Sequence, residues 1–168
     1  MTTSTALLTD RYELTMLAAA LRDGTASRPS VFELFSRRLS GGRRFGVVAG
    51  TGRLLTLLRE FRFEDDELRF LRDNDVVDAA SLTYLENYRF TGSIRGYREG
   101  ELYFPGSPIL TVEGSFADAV VLETLALSVL NHDSAVATAA SRMSVAAGER
   151  PLAEMGSRRA AERSAVAA

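Results

Sequence analysis

The sequence predicts an α+β domain, and three observations carry that prediction. Apolar residues recur at helical spacing before residue 88. Short β-type runs broken by Gly and Pro fill 91–114. A stretch without Gly or Pro, 116–147, is apolar almost all round in its first half.

The elements follow in order. Asp10 with Glu13 three residues on has the spacing of a capping box. Leu14, Leu17, Ala18 and Leu21 then continue at i, i+3, i+4 and i+7, with Gly24 as the stop. Tyr12, Met16 and Ala19 form a second apolar stripe roughly opposite the first, so this helix is expected to meet something on two sides. The same subunit, a partner subunit and a ligand all remain open for the second side.

Val31 to Phe35 and Phe45 to Ala49 read as strands, joined by a turn that carries Arg37, Arg38, Arg43 and Arg44 around Gly41-Gly42. Four arginines there suit a polyphosphate, but no Walker-type Lys or Ser/Thr follows, and a solvated turn is the favoured reading. Gly50-Thr51-Gly52 is an isolated G-x-G before a helix over 53–60. Two further helices are expected over 64–72 and 79–87, and Asp65, Asp66 and Glu67 fit the positive end of the first of them. Strands follow at 93–97, 102–104 and 108–112. The stretch 116–147 reads as one helix or as two meeting near Asn131-His132-Asp133, with Val120 to Leu130 as a central, buried segment.

Composition excludes several chemistries. All 20 basic side chains are Arg, so no lysine Schiff base exists. The absence of Cys removes disulfides, thiolate nucleophiles and Cys-ligated metals. A net charge of -2 gives no reason to expect nucleic acid as partner. No signal peptide is visible at the N-terminus, and the longest apolar run is too short for a bilayer and carries Asp118 and Glu123. A cytoplasmic location without membrane association is therefore expected. The one histidine, His132, reads as a packed or capping residue rather than a catalytic one.

Near the end of the chain lies Glu154-Met155-Gly156-Ser157-Arg158-Arg159-Ala160. A Gly ahead of paired guanidiniums offers close backbone approach and forked donors for carboxylate or phosphate. Leu152 to Met155 is expected to be a strand leading to them, with a helix starting at Ala160. This arrangement reads as half of an anion site.

Several segments together resemble the nicotinate phosphoribosyltransferases. Thr9-Asp10-Arg11-Tyr12-Glu13-Leu14-Thr15-Met16 is similar to that family's N-terminal signature. Phe32 to Phe35, Tyr88 to Gly92, Phe104 to Leu110, Val112 to Gly114, Leu122 to Leu125, Asn131 with Ser134, and Glu154 to Ala160 resemble further family blocks in the same order. The resemblance implies a β-rich α+β N-terminal domain over 1–115 and a buried linking helix or helices over 116–150. Residues 151–168 would then be the first strand and partial helix of an α/β (TIM-like) barrel, truncated here.

It also implies a reaction: nicotinate and phosphoribosyl pyrophosphate give nicotinate mononucleotide and pyrophosphate, with Mg²⁺ and ATP, in NAD salvage by a homodimer. Substrate contacts fall on Tyr12, reaching into the partner's pocket, and on Arg158 and Arg159. The family's catalytic residues are expected downstream, so none is assigned in this chain, no metal ligand is assigned, and His132 does not match the family's phosphorylatable His. Ala139 stands where many members have Lys, and the Gly common after the Arg pair is missing. The chain alone is expected to be inactive, with apolar surface exposed along Val120–Leu130 where barrel segments would cover it. Two alternatives accompany this reading: a non-catalytic dimerisation or binding module of the same descent, and a nicotinamide-type transferase.

Overall fold

The computed structural model describes residues 4–160. The chain divides into two compact units, Met1–Thr138 and Ala139–Ala168. The elements are α1 (Arg11–Arg22), β1 (Pro29–Phe35), β2 (Gly46–Val47), α2 (Thr51–Glu60), α3 (Asp65–Asp73), α4 (Ala79–Glu86), β3 (Ser93–Gly96), β4 (Leu102–Tyr103), β5 (Pro108–Ser115), α5 (Phe116–Val120) and α6 (Glu123–Ala147), with a 3-10 turn at Ser157–Arg159.

The first unit is α+β. An antiparallel sheet of order β1-β5-β3 is built on β5, and a two-stranded β2-β4 ladder stands apart from it. Strand register sets the inner face: Phe32, Val112 and Ile94 share one row, and Leu34 pairs with Leu110 in the next. These rows pack on the main core, whose fully buried members include Leu17, Leu71, Leu85, Val120, Leu125 and Leu130. Phe61, Phe63 and Tyr88 meet edge to face with ring centroids 5.6, 5.7 and 6.0 Å apart. Each such pair adds about 0.5–1.5 kcal/mol beyond the burial of its rings.

The central helical segment has two pieces, as one of the sequence readings allowed, but the break falls elsewhere. Ser115 caps α5 by accepting from the Asp118 N–H, and the chain bends at Val121-Leu122, both buried. Asn131-His132-Asp133 lies inside a continuous α6. A bend at Val121 keeps apolar residues on both sides of it in the core. Val120 to Leu130 is accordingly buried by this chain's own helices and sheet, with Leu127 the large apolar exception. The apolar exposure expected along that segment is thus largely corrected.

Strand β2 is shorter than the run 45–49 suggested. Its other edge bonds to a helix rather than to another strand: the Val47 N–H donates to Thr138 Oγ1 at 2.8 Å and the Ala49 N–H to Ser134 Oγ at 3.1 Å. Residues 134 and 138 are one turn apart and present their hydroxyls on the same side of α6. Gly46 pairs with Tyr103, and a Cβ at 46 would sit 2.2 Å from the Tyr103 ring. Glycine is needed here for close approach.

In the second unit, α6 ends at Ala147 and Gly148 turns the chain with φ +60°. The strand expected at Leu152–Met155 is not formed: 151–156 takes part in no ladder among the described residues. The Glu154 side chain instead folds back to accept from the Gly156 N–H. That local bond favours a turn, and a strand without a neighbouring strand leaves its backbone groups unpaired. From residue 161 onward, the helix expected after Arg159 lies outside the described residues.

Candidate functional site

Tyr12 stands in the first turn of α1, 47% exposed, and Met16 one turn on is 40% exposed. The stripe opposite the core is thus uncovered in this chain, while Leu14, Leu17 and Ala20 face inward. The Glu123 carboxylate beside the Tyr12 phenol pushes the hydroxyl far above its ordinary pKa, and burial adds to the effect. Tyr12 is therefore a neutral, protonated ring at any physiological pH.

The capping box expected at Asp10 and Glu13 does not close, since the Asp10 side chain makes no cap bond. Glu13 is fully buried. Its carboxylate accepts from the Thr9 hydroxyl and, across the interface with α6, from the Thr124 hydroxyl and the Thr124 N–H at 3.2 Å. Burial pushes the carboxyl up from its ordinary value. The bonds from Thr124, Thr9 and the Asp10 backbone oppose that shift, and nearby Glu123 adds to it. Sequence reasoning missed this role, although a signal existed: Glu13 lies at i, i+4, i+7 with Leu17 and Ala20, on the buried stripe.

Arg158 and Arg159 lie in the second unit, exposed within the 3-10 turn, and make no ion pair among the described residues. What approaches the Gly156 backbone is the Glu154 carboxylate. An acid group already rests where the sequence suggested that a ligand anion would.

The arginine-rich turn differs in a useful way from the solvated loop expected. Gly41 and Gly42 both take positive φ, and the arginines are exposed. Arg37, Arg38 and Arg43 nevertheless line a cleft of about 460 Å³ that also reaches Asn131, Ser134 and Tyr103. Only the fold brings α6 to this loop, so spacing along the chain carried no sign of it.

Two other sequence features resolve as structural. The Gly50-Thr51-Gly52 turn at the start of α2 is filled by Glu99, which accepts from the Gly50 and Gly52 N–H groups and the Thr51 hydroxyl at 2.8–3.1 Å. Partial burial works against the Glu99 carboxylate, but those bonds outweigh it and hold its pKa below the usual range. No open phosphate cradle remains there. His132 is exposed rather than packed, with Nδ1 3.1 Å from Asp133. Asp133 takes a two-pronged contact from Arg53 at 2.7 and 2.9 Å, and that guanidinium holds its carboxyl below the usual range. Among the described residues no group of three or more His, Asp or Glu is placed to hold a metal ion. No helix among them is long and apolar enough to cross a membrane.

The fold is an α+β one shared with part of known phosphoribosyltransferase structures. It matches the crystal structure of human Nicotinic Acid Phosphoribosyltransferase with a TM-score of 0.76 at 35% identity, over 87% of this chain and 29% of that one. A nicotinate-nucleotide pyrophosphorylase from Pyrococcus furiosus shares the fold with a TM-score of 0.63 at 23% identity, over 86% of this chain and 29% of that one. A family model for the nicotinate phosphoribosyltransferase (NAPRTase) N-terminal domain matches residues 7–131, and the chain belongs to that family. Nicotinate phosphoribosyltransferase pncB1 of Mycobacterium tuberculosis is 65% identical over 162 residues, 96% of this chain and 36% of that protein. Human nicotinate phosphoribosyltransferase is 39% identical over 160 residues, 92% of this chain and 29% of that protein. The chain thus spans about a third of the length of these relatives.

Proposed function

We propose that this chain is the N-terminal, base-holding part of a nicotinate phosphoribosyltransferase. The reaction joins the pyridine nitrogen of nicotinate to C1′ of phosphoribosyl pyrophosphate as the C1′–oxygen bond to pyrophosphate breaks, linked to ATP hydrolysis in cytoplasmic NAD salvage. The observation that carries this reading is Tyr12: an uncharged ring on the family-matched helix, left facing solvent beside an anchoring carboxylate. A flat aromatic face suits a pyridine ring by offset stacking. Because the exposed stripe of α1 faces away from its own core, Tyr12 serves the pocket of a second subunit in a homodimer.

Arg158 and Arg159 supply forked donors for the nicotinate carboxylate or the nucleotide phosphate. The turn that carries them opens the α/β barrel of the complete enzyme, the region assigned to 151–168. The cleft lined by Arg37, Arg38 and Arg43 offers additional positive charge for the polyphosphate. As C1′ acquires positive character and pyrophosphate leaves with negative charge, oriented guanidiniums stabilise the departing group. A paired cation favours the acid over the amide as the base.

The test is kinetic, in the complete enzyme that contains this segment. Arg158→Ala and Arg159→Ala should each weaken nicotinate or phosphoribosyl pyrophosphate use by roughly 10- to 100-fold, the loss of one charge-assisted bond of about 1.5–3 kcal/mol. Unchanged constants for both substrates would sink the assignment. The 168-residue chain alone is expected to form no nicotinate mononucleotide, and product above background would exclude an inactive module.

A further inference from the structure

The Tyr12 ring projects from the first turn of α1, a helix that Leu14, Leu17 and Ala20 seat on the core and whose N-terminal end is further fixed by a polar contact. Its chain neighbour, Glu13, is the one fully buried carboxylate among the described residues. A carboxylate so placed ordinarily pairs with a cation, because burial without compensation is costly. Here the partners are neutral donors: the Thr9 hydroxyl on one oxygen, and the Thr124 hydroxyl and N–H on the other. Thr124 is in the first turn of α6, where unpaired N–H groups and the helix dipole favour negative charge. Glu123, the residue next to Thr124, is the group that lies beside the Tyr12 phenol. Two successive residues of α1 therefore meet two successive residues of α6.

We propose that Glu13 is the positioning residue for Tyr12: by clamping the first turn of α1 to the first turn of α6, its buried carboxylate sets where the exposed ring is presented. The inference rests on the reading of Tyr12 as the wall of the base pocket. Geometry explains the arrangement better than stability does. An apolar side chain at 13 would continue the Leu17 and Ala20 stripe without the desolvation cost, but it would fix neither the rotation of α1 nor its height against α6. A carboxylate held on both oxygens fixes both.

The test reads the ring directly. In the 168-residue chain with ¹³C-labelled tyrosine, Tyr12→Phe assigns the Tyr12 ring signal, and Tyr88 and Tyr103, buried elsewhere, report the integrity of the fold. Glu13→Ala and Thr124→Val are expected to shift the Tyr12 signal and erase its contacts to Glu123, with Tyr88 and Tyr103 unmoved. Thr124→Ser keeps the hydroxyl and is expected to restore the wild-type signal. If Glu13→Ala fails to fold, the Val and Ser variants at 124 decide the matter. A Tyr12 signal and Glu123 contacts unchanged by Thr124→Val would overturn the proposal.

In the complete enzyme, Thr124→Val should raise the KM for nicotinate by about 10-fold or more while Thr124→Ser does not, since a misplacement near 1 Å is costly. An unmoved KM there, in an enzyme whose KM Tyr12→Ala does raise, would also overturn the proposal. Tyr12→Ala separates the two ideas: if it leaves the nicotinate KM unchanged, the base-wall reading falls, whatever the labelled ring reports in the isolated chain.

Discussion

Glu13 shows how far a local rule reaches at the scale of one residue. The S/T/D/N-x-x-E pattern of a capping box is present at Asp10 and Glu13, yet the glutamate is turned inward to Thr124. Another box, at Glu64 and Glu67, does close, at the start of a helix whose first turn is solvated. Burial separates the two: a glutamate on the inward stripe cannot serve the solvent-side cap. Because burial raises the Glu13 carboxyl above its ordinary 4.5, the native state binds this proton more tightly than the unfolded chain. Its contribution is then greatest in acid and is lost as pH rises through the native pKa. Glu13→Gln cannot titrate. Urea unfolding from pH 4 to 7 should therefore show the wild type losing stability relative to Glu13→Gln as pH rises; parallel curves would contradict this.

Elements built from local contacts were legible, whereas those defined by distant partners were not. The helices α1 to α4 begin and end within two residues of the spacing read from the sequence, because periodic apolar residues and caps are written locally. Strand β2 is a different case, since one of its edges is bonded by Ser134 and Thr138 some ninety residues away. The strand expected at 152–155 likewise finds no ladder among the described residues. Thr138→Val keeps the shape of the side chain but strands the Val47 N–H, a loss of about 1–3 kcal/mol. Hydrogen exchange should register it as faster exchange at Val47, with the β1-β5 amides following only the global change in stability.

For the molecule as a whole, the core of residues 4–138 is closed by its own elements, which explains why the sequence conveyed the α+β class and the buried central helix so clearly. Phe61→Ala removes the ring that touches both Phe63 and Tyr88, and should cost about 3–5 kcal/mol in urea unfolding. The site is much less legible. Tyr12, Arg158 and Arg159 could be singled out from the chain, but their ligands are a matter of resemblance, and the arginine cleft depends on how α6 meets the loop after β1. The exposed apolar residues that remain, Tyr12, Met16, Val31 and Phe35 among them, predict self-association. Sedimentation of the 168-residue chain should show dimers or larger species, and Tyr12→Glu with Met16→Glu should shift them toward monomer. A wild-type monomer at all concentrations would count against a dimer-facing α1.

The contact of Gly46 with the Tyr103 ring has a consequence for how this domain can change over generations. With the ring in place, even the single methyl of alanine at 46 has no room, and with the ring gone the space at 46 has no filler. A side chain at 46 requires the Tyr103 ring to move or to shrink. In related chains, a side chain at 46 should be inherited together with a smaller residue at 103, so the two sites record a shared history rather than two independent ones.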